Sequence, residues 1–233
     1  MRILHISDFH LDKNDRDDSV NHIVTPLLNT IEELQKDKPI DLILVTGDLI
    51  NKGGINYSDI SEAFADFNNV LINPLIEKTS LSRERVFFVP GNHDIRRAAD
   101  SKIIENGLKG TLKTEEEVNN YIKAPEGNNR IKDFKIFEKT FYKDCSIEKN
   151  LTDFNSCFKF TIQGKKIGIA CLNSAWRCYN SEEDKNQILI GEKQLNDSNA
   201  FLSDCQIKIA LSHHHYDWLH PYDTEVVSSL LTQ

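Results

Sequence analysis

At 233 residues, 39% hydrophobic and 27% charged, the chain carries enough apolar material for one sizeable core and has neither the composition of a disordered segment nor an apolar run near the roughly 18 residues of a membrane span. Lys and Arg number 28 against 36 Asp and Glu, a net charge of −8 that opposes long-range attraction to nucleic acid or anionic membrane. Cations held where carboxylates cluster would offset part of this charge locally, so a phosphate-bearing substrate stays open.

Ile3, Leu4 and Ile6 form a first short strand ending at Asp8; the start is too quickly polar for a signal peptide. Val20, Ile23, Val24, Leu27, Leu28, Ile31 and Leu34 recur at helical steps. Pro26 interrupts them, which predicts either a kink there or a helix starting at Thr25-Pro26. Residues 40–45 are continuously apolar, the pattern of a buried strand, and end at Thr46-Gly47-Asp48. A second helix is expected over 58–75, and a third strand over 86–89 leads into Pro90-Gly91-Asn92.

Residues 96–155 break this rhythm. They are polar, with Glu115-Glu116-Glu117, Asn119-Asn120 and Gly127-Asn128-Asn129, and hold one amphipathic stretch at Phe134, Phe137 and Phe141. They read as a helical insertion over the site within a single domain spanning 1–233. Residues 158–162 and 167–172 flank Gln163-Gly164-Lys165 as a hairpin, 207–211 form a last strand, and 224–231 a short helix. Strands that alternate with helices and then pair as hairpins imply a mixed sheet, or two sheets face to face, with helices outside.

Potential metal ligands gather at the ends of these strands. Asp8 and His10 leave one face if the chain stays extended there, and so can grip one ion. Asp48 follows a glycine that permits a tight bend, and its two oxygens can bridge two metals about 3.5–4 Å apart. Asn92, His93 and Asp94 put an amide, an imidazole and a carboxylate on one turn. Of His213-His214-His215, an extended segment turns either the outer two or His214 alone toward the site. Mixed oxygen and imidazole donors suit a divalent first-row metal.

The run Asp8-Phe9-His10, Gly47-Asp48, Gly91-Asn92-His93-Asp94 and Ser212-His213-His214-His215 closely resembles the calcineurin-like metallophosphoesterase family over nearly the whole chain. The resemblance implies an α/β fold, a four-layer α/β/β/α sandwich of two mixed sheets flanked by helices. It implies two divalent metal ions (Mn, Fe, Zn or similar) held by Asp8, His10, Asp48, Asn92 and His213, with His214 as the alternate to His213 because His215 stands where the family commonly has proline. His93 would protonate the leaving group and Asp94 would orient its imidazole. The family's later Gly-His-x-His motif does not follow His215, so the chain reads as C-terminally truncated or as the N-terminal part of a longer protein, with further domains expected after Gln233.

The expected function is phosphoester hydrolysis by a metal-activated water. The alternatives are a nuclease or cyclic-nucleotide phosphodiesterase, which brings nucleotides and nucleic acid among the candidate partners, or an impaired regulatory or scaffold domain. No membrane partner is expected. Arg96, Arg97, Lys102, Lys109 and Lys113 either bind substrate phosphate or form a solvated face. Phe87, Phe88, Phe158, Phe160, Trp176 and Trp218 read as core, and Asn173-Ser174 as a strand end beside the pocket. Five cysteines, an odd number without a two-residue spacing, read as free thiols of a cytoplasmic protein.

Overall fold

The structure, a computed structural model, describes residues 1–124, 129–180 and 182–231; Gly127, Asn128 and Gln233 lie outside the described residues. Strands β1 (Ile3–Ile6), β2 (Leu42–Thr46) and β3 (Val86–Val89) form a parallel three-stranded sheet in the order β1-β2-β3. All of β2 and β3 is buried, as continuous apolar runs require when both faces are covered. Because the strands run parallel, their C-terminal ends, where the candidate ligands stand, share one edge of the sheet.

The crossover helices carry prolines without breaking. Helix α1 (Arg16–Ser19) continues through a π-helical turn (Val20–Val24) into α2 (Thr25–Gln35), and α3 (Ile60–Phe67) continues through a second such turn (Asn68–Ile72) into α4 (Asn73–Thr79). Each wide turn closes immediately before a proline, with Thr25 N–H reaching the Val20 carbonyl and Asn73 N–H the Asn68 carbonyl. A five-residue hydrogen bond gives the ring of Pro26 or Pro74 room it would lack in a regular α-helix. Of the Pro26 alternatives, a kink or a helix starting at Thr25-Pro26, the α-helical segment does start at Thr25 with Pro26 in its first turn, but it follows directly on the π-helical turn.

Strands β4 (Glu148–Leu151), β5 (Ser156–Ile162), β6 (Lys165–Cys171) and β7 (Ile207–Leu211) form a second, mixed sheet in that order. The β5–β6 hairpin turns on Gln163 and Gly164, both at positive φ (50° and 76°), the twist that a two-residue connection needs. Alternation along this sheet feeds two cores. Phe158, Ile167, Ile169 and Cys171 join the first sheet and its helices, whereas Cys157, Ala170 and Leu172 join Leu195 and Val227. The latter two lie on α8 (Glu192–Phe201) and α9 (Pro221–Leu231). Phe87 closes the sheet interface against Phe158 and Phe160, with ring centroids 5.0 and 5.3 Å away. Two sheets packed face to face with helices outside give the α/β architecture expected.

The span 96–155 contains α5 (Lys102–Thr111), α6 (Glu115–Lys123), α7 (Lys132–Phe141) and β4. The acidic run Glu115-Glu116-Glu117 opens α6, where Thr114 and Glu117 form a reciprocal cap. The phenylalanines of α7 face inward, Phe137 stacking on Phe64 (5.0 Å) and Phe141 edge-on to Phe88 (5.0 Å). Helix α7 therefore belongs to the first core, while Leu112, beyond α5, and Val118 of α6 belong to the second. Helix α9 starts three residues before its expected first residue, with Pro221 in the first turn. All five cysteines are free thiols. Among the described residues no helix is long and apolar enough to cross a membrane.

Candidate metal centre

Strands β1 and β2 do not stop pairing where their regular structure ends. Asp8 N–H bonds the Gly47 carbonyl (3.1 Å), His10 N–H the Asp48 carbonyl (2.8 Å) and Leu11 N–H the Leu49 carbonyl (3.0 Å). Asp8, His10 and Asp48 all adopt left-handed backbone, at φ 57°, 50° and 53°. Such conformations cost about 1–2 kcal/mol each and gather at functional sites. The extended segment assumed for Asp8 and His10 is therefore not what brings them together. The kinks do so, placing His10 Nε2 3.8 Å from Asp8 Oδ1.

Asp48 is the hub. Its Oδ1 accepts the His93 backbone N–H at 2.8 Å, and its Oδ2 lies 3.5 Å from His10 Nε2 and 3.6 Å from His213 Nε2. Donor atoms about 2.1 Å from a common ion stand roughly 3–3.5 Å apart, so these separations are close to those of a coordination shell. Two groups of donors share this carboxylate, His10, Asp48 and His93 in one and Asp8, Asp48 and His213 in the other, with the atoms of each within 4.8 Å of one another. The resemblance implies Asp8, His10 and Asp48 about one ion and Asp48, Asn92 and His213 about the other, whereas here Asp8 falls with His213. Asn92 lines the same cavity, of about 470 Å³, and its backbone carbonyl accepts from Arg97.

Glycines make this approach possible. A Cβ on Gly91 would meet Asp48 Oδ1 at 2.1 Å and Asp48 N at 2.4 Å; one on Gly47, at φ 90°, would meet His213 Nδ1 at 2.6 Å. His213 Nδ1 donates to the Thr46 carbonyl at 2.7 Å, leaving Nε2 bare as a ligand. His214 turns away. It bonds Ser174 Oγ through Nδ1 at 2.8 Å, and burial, helped by the adjacent His213, pushes its pKa down to about 3. The geometry thus favours His213 over His214, and it gives Ser174 the task of holding that turn. Asn173 Oδ1 caps the turn that carries Ser174, accepting from Ala175 and Trp176 N–H.

The role expected of Asp94 is corrected by its contacts. Its Oδ1 accepts from Leu49 and Ile50 N–H (2.8 and 3.1 Å) and its Oδ2 from Gly91 N–H (2.8 Å), so it staples the loop after β2 to the loop after β3. Burial, then the nearby charge of Asp48, holds its carboxyl well above the usual range. The imidazole of His93 is oriented instead by the Lys52 N–H, which donates to Nδ1 at 3.2 Å. That contact assigns the ring proton of neutral His93 to Nε2. Burial lowers the His93 pKa, against the partial opposition of Asp48, and so favours the neutral ring.

Of the basic residues, Arg96 pairs with Asp133 and Asp59, and Lys109 with Glu183. Both act as structural cations. Trp218, expected in the core, is 42% exposed and lines the cavity, as does Asp184. No local pattern marks Asp184, which lies in the polar run Glu182-Glu183-Asp184-Lys185.

The model of the calcineurin-like phosphoesterase family matches residues 1–229. The chain belongs to that family. A relative in Bacillus subtilis (strain 168), the uncharacterised metallophosphoesterase-like protein YydB, is 36% identical over 97 residues, 42% of this chain and 18% of the relative. The chain's match thus spans about a fifth of that longer protein. Membership gives the donor set its meaning, because the family is a group of phosphoesterases. The residues present fit divalent cations: one buried carboxylate oxygen stands between two imidazole nitrogens, and the nitrogen of His213 is left bare by a backbone contact on its far side.

Proposed function

We propose that this chain hydrolyses phosphoesters with two divalent cations held about Asp48, through Asp8, His10, Asn92 and His213. The observation that carries this reading is Asp48 Oδ2, equidistant to 0.1 Å from His10 Nε2 (3.5 Å) and His213 Nε2 (3.6 Å). Bound there, the cations would supply Lewis acidity, lowering the pKa of water and neutralising phosphoryl charge. The protein's own part is positional. Asp94 and the glycines fix the two loops, and the left-handed turns aim Asp8 and His10 into one volume.

His93 is the group offered to the departing oxygen. Because Lys52 occupies Nδ1, coordination by Nε2 would require a proton on the nitrogen that already accepts one. The contact supports Nε2–H as a hydrogen-bond donor that stabilises the charge growing on the leaving group, an effect worth about 10²–10³-fold. Asp94 supports this arrangement from the backbone side.

The test is Mn²⁺ titration by calorimetry together with hydrolysis of bis-p-nitrophenyl phosphate and p-nitrophenyl phosphate. The wild type is expected to bind Mn²⁺ and turn over one of the esters. Asp48→Asn should lose both, with kcat/KM down by about 10³-fold or more. His93→Asn should keep Mn²⁺ binding while turnover falls about 10²–10³-fold. Loss of Mn²⁺ binding in His93→Asn would make His93 a ligand. Absence of both Mn²⁺ binding and turnover in the wild type would move the reading to a scaffold.

A further inference from the structure

Two residues that line the candidate metal cavity stand outside both donor groups, Asp184 and Trp218. Asp184 is 6% exposed; its Oδ1 accepts the Tyr179 and Asn180 backbone N–H (2.9 and 3.0 Å), while its Oδ2 is buried and has no hydrogen-bond partner among the described residues. A buried carboxylate oxygen left without a donor costs on the order of 1–3 kcal/mol or more, so it calls for a ligand that supplies one. Trp218 lines the same cavity with 42% of its surface exposed, an unusual position for the largest apolar side chain.

The two are built into one unit by the backbone. Asn186 N–H bonds the Trp218 carbonyl at 2.8 Å, His220 N–H bonds the Ile188 carbonyl at 2.9 Å, and Ile188 pairs with Leu219 as an isolated parallel bridge. The loop carrying Asp184 is thereby fastened to the turn that follows the histidines. Both residues line the cavity, Trp218 with a partly exposed ring and Asp184 with one unpaired carboxylate oxygen. The electron-rich character of the ring is already in use, since Lys185 Nζ sits 5.7 Å from its centroid.

We propose that Trp218 and Asp184 form a subsite for the nucleobase of a nucleoside phosphoester, the ring stacking on Trp218 and a base N–H donating to Asp184 Oδ2. This rests on the hydrolase reading of the same cavity. Stacking on an aromatic side chain suits any base, and a single acceptor selects a ring with a donor on its edge. The cavity, about 470 Å³, is of the size that takes a small-molecule ligand. The base thus places the phosphate without adding charge to an acidic protein.

The test compares adenosine 5′-monophosphate with ribose 5-phosphate, which carries the same sugar phosphate without the base, by calorimetry on the Mn²⁺-loaded chain. The expected result is at least tenfold tighter binding of the nucleotide. Trp218→Ala should reduce that preference about tenfold, Trp218→Phe should keep most of it, and Asp184→Asn should reduce it by turning the unpaired acceptor into a donor. Equal affinity for the two ligands, binding of neither, or a preference untouched by both Trp218→Ala and Asp184→Asn overturns the subsite. Failure of the hydrolase reading is seen separately, as absent turnover of the nitrophenyl esters.

Discussion

Gly91 shows how a residue without a side chain can decide a site. Its missing Cβ leaves the space that Asp48 Oδ1 occupies, and its N–H is one of the three that Asp94 collects. Gly91→Ala would drive an atom into a buried carboxylate that the His93 backbone N–H holds in place, so overpacking should cost about 1–3 kcal/mol. The expected outcome is a lower melting temperature together with Mn²⁺ affinity reduced at least tenfold; unchanged Mn²⁺ affinity would show that Asp48 can move freely. Apolar runs that end in short polar motifs pointed to Asp8, His10, Asp48, Asn92 and His93, and the family resemblance pointed to His213 with His214 as the alternate. The sequence could not name the Asp94 contacts, two of whose three amides lie 44 and 45 residues away in sequence.

Among the elements, the two proline-bearing crossovers obey one rule. Pro26 and Pro74 each follow a π-helical turn, and each lacks the N–H that a regular helix would use. Since the wide turn already houses the ring, Pro26→Ala is expected to change stability by no more than about 1 kcal/mol. Thr30→Pro, in the regular part of α2, should cost about 3 kcal/mol or more. Urea unfolding of the two variants checks this, and similar losses in both would show that the turn does not accommodate the proline. Strands β3 and β7 were legible to the residue because their apolar runs end abruptly. Helix α8 and strand β4 were not, since Glu192–Phe201 and Glu148–Leu151 lack a clear apolar period and owe their form to neighbours.

On the scale of the whole molecule, Phe158 joins what the sequence keeps far apart. It is fully buried, with its ring 5.0 Å from Phe87 on the other sheet and 4.7 Å from Tyr142, whose hydroxyl donates to the Val86 carbonyl at 2.6 Å. Phe158→Ala should cost about 3–5 kcal/mol. It should also weaken Mn²⁺ binding, because His213 arrives from the second sheet and Asp48 from the first; urea unfolding and Mn²⁺ titration read the two effects. The sequence by itself determined the strand ends, the donor types and the family, since apolar runs and short-range spacing are local properties. Only the tertiary structure decided which donors gather about Asp48, that Asp94 holds backbone and not His93, and that Trp218 lines the cavity. Those outcomes depend on how two sheets pack and on backbone amides that meet across long stretches of chain, which no local pattern encodes.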